Sequence, residues 1–373
     1  MYSISNQRII GFDLLRAVLV FLLIITHAAV SFMVSPMDSE FWFYHDDETN
    51  LLFDGFVAFF HIVRLPMFFL ISGLLTTQMI TKYGPSAVGL KRVKRLLLPL
   101  LFVVFVFGPM ININIAIILG KSNPYSLHNI FPIDEFRIRH LGTSYVWFLY
   151  YLLTYSAIHI VSARFIKSAS VVHRGKYWLV LLIFLVLVAT SFLLFFWKEN
   201  SLFGQYELLP DGGSYFGYFS FYAAGVYIAN IPQGLEHIAR KSYSHIMLIA
   251  GIVSFTLYIV LSYHIVSVGL NPMEFDVRLM VLSNLSMILL TLGVLGVVCY
   301  YYSKNNALVS YFSQSSYFIY LIHFPVMILV MRWILPLPQH AMIKFLAILL
   351  PTIMTSLLLN HLWRRFWRGN PPI

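Results

Sequence analysis

Arg16 and His27 stand eleven residues apart inside an apolar stretch, and they are the first side chains here that could do chemistry. Eleven helical steps make about 1100°, roughly 20° past three full turns, with a rise of roughly 16 Å. The two therefore share one stripe of a helix. Asp13 lies three residues before Arg16 and can pair with it along the same face. Imidazole titrates near neutral pH, so His27 could serve as a general base on a hydroxyl or as a transient acyl carrier. The bland alternative is a structural Asp13–Arg16 pair and a histidine bonded to a neighbouring helix.

A second apolar stretch holds Asp54, His61 and Arg64, followed by Pro66 and the run Met67-Phe68-Phe69-Leu70-Ile71-Ser72-Gly73. His61 and Arg64 share a face at three residues' spacing. A buried guanidinium beside a helix-breaking proline needs an acid, a carbonyl or an anionic ligand. Asp54 is a poor local partner, about 15 Å away along the axis and on a different face. Ser72-Gly73 reads best as a small-residue packing notch. Further on, Lys91-Arg92-Val93-Lys94-Arg95 precedes Leu96-Leu97-Leu98-Pro99. Such a basic loop anchors to anionic headgroups, and Arg92 and Arg95 could also hold phosphates of a donor. Late in the chain, Tyr317, Tyr320 and His323 recur at three-residue spacing before Pro325. Three polar groups on one stripe suggest a cavity wall.

The elements that position these groups are set by composition. Of 373 residues, 59% are hydrophobic and 11% charged, and the mean hydropathy is +0.79. Soluble domains carry about 25% charged residues, so a soluble enzyme, a disordered chain and a disulfide scaffold are excluded. An all-α polytopic membrane bundle is expected. A span needs about 20 apolar residues, and that window predicts ten: 9–33, 55–80, 96–119, 143–163, 177–197, 213–230, 244–268, 279–302, 316–335 and 341–363. The sixth is short and rich in Gly and Tyr. The stretch 120–142, with Pro124 and Pro132, reads as an extramembrane loop with a short surface helix. No internal repeat or linker divides the chain, so 1–373 reads as one transmembrane domain. Asp13 and Arg16 inside the first span mark a retained helix, not a cleaved signal.

Net charge is +10. The cytoplasmic excess of Lys and Arg that orients spans accounts for it, and no nucleic-acid partner is implied. With the N-terminus inside, the inner segments collect Arg8, Lys82, the Lys91–Arg95 cluster, Arg164, Lys167, Arg174, Lys176, Arg240, Lys241, Lys304, Arg364, Arg365 and Arg368. The first outer loop collects Asp38, Glu40, Asp46, Asp47 and Glu48. Both termini are then cytoplasmic. The single cysteine, Cys299, gives no disulfide and no zinc site, so no metal or resident cofactor is expected. No histidine precedes an aspartate by five positions, and nucleophile elbow, Walker loop and dinucleotide fingerprint are all missing. His, Asp, Arg and Tyr must carry any chemistry.

Gly11-Phe12-Asp13-Leu14-Leu15-Arg16, ten residues and His27 resemble the Arg-x10-His signature of the acyltransferase 3 family of membrane acyltransferases. Phe68-Phe69-Leu70-Ile71-Ser72-Gly73, Arg92-x2-Arg95-x3-Pro99, Trp147-Phe148-Leu149 and Ser316-Tyr317-x2-Tyr320-Leu321-x-His323-x-Pro325 continue the resemblance in order. His61-x2-Arg64-x3-Phe68-Phe69 is similar to the glucan biosynthesis protein C subgroup, whose members are inner-membrane glucan succinyltransferases. Tyr145 stands where that subgroup has a histidine before Trp147, and His140 lies further upstream. The resemblance implies transfer of an acyl group from cytoplasmic acyl-CoA, as co-substrate, to a carbohydrate hydroxyl of a periplasmic glucan or other polysaccharide. Succinyl is favoured and acetyl is the alternative. It implies a catalytic set of His27, Arg16, Asp13 and Arg64, a substrate-lining set of His61, Tyr317, Tyr320 and His323, and donor contacts at Arg92 and Arg95. The competing class is a transporter or flippase for a glycan or small anion, which also needs polar groups on several helices.

Overall fold

The computed structural model describes residues 10–35, 37, 42–131, 144–165, 178–202, 212–270, 274–302 and 306–366. Arg8, Lys167, Arg174, Lys176, Lys304 and Arg368, the acids Asp38 and Glu40, Pro132 and His140 lie outside the described residues. Ten long helices make up the described chain, and among the described residues there is no strand. They are α1 Ile10–Ala29, α2 Leu51–Tyr83, α3 Pro85–Ile118, α4 Trp147–Phe165 and α5 Trp178–Trp197. After them come α6 Gly212–Asn230, α7 Lys241–Ser267, α8 Val277–Tyr301, α9 Ala307–Ile334 and α10 Ala341–Phe366. All ten fall on the predicted apolar stretches. The loop after α3 holds one short helix, Leu127–Ile130.

Eight of these helices are long and apolar enough to cross a membrane. The other two, α4 and α6, have 19 residues each. Their polarity has a structural origin. Tyr151 and Tyr155 of α4 face Tyr215, Tyr218 and Tyr222 of α6 inside the bundle, so these two helices present hydroxyls to each other and not to lipid. The outer helices show the reverse. On α5, Phe184, Phe192 and Phe196 are exposed, as lipid-facing side chains should be.

α1 and α2 lie at the centre. α1 packs against α2, α8, α9 and α10, while α2 packs against α1, α3, α4, α6 and α8. Between membrane helices, close packing and hydrogen bonds replace the hydrophobic drive. The Gly73 notch shows this directly: a Cβ there would stand 2.1 Å from the carbonyl oxygen of Tyr222 on α6. Gly225 of α6 returns the contact, its Cβ position lying 2.0 Å from the Leu70 oxygen. Hydrogen bonds serve elsewhere. Thr190 of α5 donates to Asn284 Oδ1 of α8 at 2.7 Å, and Asn284 Nδ2 donates to Ser191 at 2.7 Å.

Prolines shape the helices that bear the polar stripe. Pro99 in α3 and Pro325 in α9 have no N–H to return to the carbonyls four residues back, those of Arg95 and Leu321. Each carbonyl is taken by a tyrosine from another segment: Tyr317 donates to Arg95 O, and Tyr145 donates to Leu321 O. The prolines thus create two acceptors that bind α9 to α3 and to the start of α4.

Candidate active site

His27, near the end of α1, meets His323 of α9, with His323 Nε2 3.3 Å from His27 Nδ1 and the two rings stacked at 5.4 Å. His323 is fully buried and its Nδ1 lies 2.7 Å from the carbonyl oxygen of Tyr320. A carbonyl only accepts, so His323 Nδ1 carries the proton and its Nε2 is the acceptor. With both rings neutral, His27 must donate from Nδ1, which leaves His27 Nε2 as the basic nitrogen. The order is Tyr320 carbonyl, His323, His27. Phe324 and Trp42 close around the pair, with ring centroids 5.4 and 6.0 Å from His27.

α2 brings two cationic or ionisable groups to the same place. Arg64 is buried and lies within electrostatic range of His27, His61, His323 and Tyr320. His61 Nε2 is 2.7 Å from the Leu202 carbonyl, which also accepts from Tyr218 at 2.8 Å. Asp54 is engaged elsewhere: its carboxylate accepts from the backbone N–H of Val34 and Ser35 at 2.8 and 2.9 Å, capping the turn after α1. Outside the spans, burial first and then the Asp46 and Asp47 carboxylates raise the Tyr44 phenol above its ordinary range. The loop segment beside the histidines therefore keeps a neutral phenol at physiological pH.

The other end of the stripe is a second polar cluster. Arg92 of α3 donates through Nη2 to Thr76 of α2, whose hydroxyl in turn donates to Ser72 O at 2.6 Å. Tyr222 of α6 joins Thr76, and His159 Nδ1 of α4 is 3.2 Å from the Tyr222 hydroxyl. Arg16 and Arg95 lie within electrostatic range of Arg92. Val93–Leu97 is a π-helical turn, which rotates the register, so Arg92 turns inward while Arg95 is exposed. Asp13 accepts a hydrogen bond from Ser313 Oγ of α9 at 2.7 Å, which ties α1 to α9. Tyr317, Tyr320 and His323 link the two clusters along one face of α9, bonded to Arg95 O, Tyr145 O and His27 respectively.

A family model for the acyltransferase domain of the acyltransferase 3 family matches residues 9–361. The chain belongs to that family. Comparison with curated proteins and with solved structures gives no match.

In this acyltransferase, His27, His61, Arg64, Tyr320 and His323 come together at one end of the stripe. Arg16, Arg92, Arg95 and Tyr317 lie towards the other. Sequence reasoning missed Trp42, which sits in a polar loop with no periodicity to place it. It also missed Thr76, Tyr222 and His159, whose convergence on Arg92 depends on four helices meeting. Tyr145 was singled out only as a departure from the subgroup. In the acyltransferase it stacks on Phe324 at 4.9 Å and stands edge-on to His323 at 5.7 Å, so it lines the histidine pair.

Proposed function

We propose that this acyltransferase moves a succinyl group from cytoplasmic acyl-CoA to a hydroxyl of a glucan or other polysaccharide outside a bacterial inner membrane. The supporting observation is the ordered pair His323–His27 beside Arg64, at the far end of a stripe that begins among Arg16, Arg92 and Arg95. The basic bias of the inner segments puts both termini in the cytoplasm and the arginine end on the donor side. The acceptor oxygen attacks the thioester carbonyl while His27 Nε2 takes the hydroxyl proton. The C–S bond then breaks, the ester remains on the sugar, and the coenzyme thiolate leaves and is protonated by the imidazolium. His323 shares the charge that develops on His27, and Arg64 faces either the oxyanion or the free carboxylate of the acyl group. His61, Tyr317 and Tyr320 line the path between donor and acceptor, and Asp13 fixes the helix that carries Arg16. The direct test is incorporation of labelled acyl groups from acyl-CoA into glycan by the purified protein in liposomes. A flippase or transporter would move material without forming the ester.

The acyl group is tested at Arg64. Guanidinium binds a carboxylate through two parallel hydrogen bonds, a geometry that lysine cannot reproduce. Arg64→Lys is expected to depress turnover of succinyl-CoA by at least about 10-fold more than that of acetyl-CoA, the loss of one charge-assisted hydrogen bond. Equal losses with both donors would make Arg64 an oxyanion or structural residue, and use of acetyl-CoA alone by the parent protein defeats the succinyl reading.

The donor site is tested at the arginine cluster. Arg92 Nε is buried with no hydrogen-bond partner among the described residues, in keeping with a place reserved for an anion. Arg92→Gln with Arg95→Gln is expected to raise the apparent KM for acyl-CoA several-fold while leaving that for the acceptor unchanged. Equal rises in both constants, or a displaced loop in topology mapping, would reduce the pair to a membrane anchor.

A further inference from the structure

The segment between α1 and α2 is stapled to the protein at points that converge on His27. Asp46 N and Asn50 N donate to the carbonyls of Ser31 and Phe32, each at 2.9 Å. Trp42 Nε1 donates to Ser31 Oγ at 2.8 Å. Lys344, at the start of α10, closes an ion pair with Asp46 at 2.9 Å, and the two side chains are only 7% and 2% exposed. These residues are nearly three hundred positions apart, so the contact is tertiary and not an accident of chain proximity.

Ser31 lies four residues beyond His27, one helical turn further on. An indole anchored at Ser31 must therefore lie back over the imidazole. Its centroid is 6.0 Å from the His27 ring and 6.0 Å from Phe324, the neighbour of His323. Trp42 thus lies against His27 and against the Phe324 ring that flanks the pair, without supplying a reacting atom. A buried ion pair returns little net stability once its desolvation is counted. Loss of either partner would leave the other charge buried and uncompensated, so the pair ties this part of the loop to α10.

We propose that Trp42 is a positioning residue for His27, kept in register over the His27–His323 pair by the buried Lys344–Asp46 ion pair. The proposal rests on His27 as the base of acyl transfer. A base held by a single 3.3 Å hydrogen bond to another imidazole is free to tilt, and a displacement near 1 Å can cost about 10²-fold in rate. The indole removes that freedom.

The test compares four proteins in liposomes: parent, Trp42→Phe, Trp42→Ala, and Asp46→Asn with Lys344→Met, which removes both charges and leaves none unpaired. Size-exclusion profile and melting temperature establish that each is folded. Trp42→Ala and the neutral double variant are expected to lose kcat by about 10- to 100-fold, with KM for acyl-CoA unchanged. Trp42→Phe, which keeps an aromatic face, should retain an intermediate kcat. A second readout needs no turnover. Carbethoxylation of His27 by diethyl pyrocarbonate, followed by mass spectrometry, should quicken several-fold in the two slow variants. Parental kcat in the folded double variant, or unchanged labelling of His27, overturns the proposal. If the parent acylates with neither succinyl-CoA nor acetyl-CoA, the acyl-transfer reading fails instead, and the labelling comparison still decides whether the indole positions His27.

Discussion

Replacing His27 by alanine is expected to leave a protein that inserts and folds yet transfers acyl groups at least about 10²-fold more slowly, the lower bound for losing a general base. The structural cost is small. His27 gives up one hydrogen bond, to His323, worth about 1 kcal/mol net, and its ring is only partly buried. The chemical cost is large because His27 Nε2 is the one basic position the hydrogen-bond order leaves on the pair. The same order extends the prediction to His323→Ala, which removes the acceptor that holds His27 Nδ1–H and therefore the tautomer. The two single variants should each be severely slowed, and the double variant should be little worse than either, since groups acting as one unit are not additive. The assay is acyl incorporation per folded protein, with expression and monodispersity matched to parent. Near-parental turnover in His27→Ala removes it from the mechanism. Losses in the two singles that multiply in the double would mean that the imidazoles act independently.

What could be read from the chain follows from the range of the interactions concerned. Arg16 with His27, and Tyr317 with Tyr320 and His323, were legible because helical periodicity alone puts them on common faces, and the structure keeps both stripes intact. That the two stripes meet at His27 and His323 was not legible, since nothing local to α1 or α9 states their relative height. The π turn at Val93–Leu97 shows a subtler limit: an ideal 3.6-residue register does not foretell it, and beside it Arg92 turns towards Thr76 while Arg95 is exposed. Prolines offered a signal that could have been used. Pro99 and Pro325 each disable a backbone donor, which implies a foreign donor for Arg95 O and Leu321 O, and tyrosines of other segments, Tyr317 and Tyr145, supply it. Trp42 had no such signal. Its place over His27 depends on Lys344, far along the chain, and on a loop whose composition is polar.

The α2–α6 crossing carries the other large expectation. Gly73→Ala and Gly225→Ala should each destabilise the bundle by about 3 kcal/mol or more, at or beyond the upper end of ordinary overpacking. At 2.1 and 2.0 Å, the added Cβ would meet the backbone oxygens of Tyr222 and Leu70. A flexible side chain could swing away from such a contact, but a helical carbonyl cannot move without its helix. The helices must therefore part, and the cost spreads to what they carry. Gly73 is nine residues beyond Arg64 on α2, while Tyr222 on α6 holds Thr76 beside Arg92. A displaced α2 thus disturbs both polar clusters, and lost activity should accompany lost stability. Gly55 is the internal control. It lies on the same helix with no atom within 4 Å of a Cβ, so Gly55→Ala should be neutral or gain up to about 1 kcal/mol from the better helix former. Melting curves and monodisperse yield in one detergent decide the matter. Parental melting in Gly73→Ala would mean that α2 and α6 are not in backbone contact there, and the route by which this crossing holds Arg64 level with His27 would have to be abandoned.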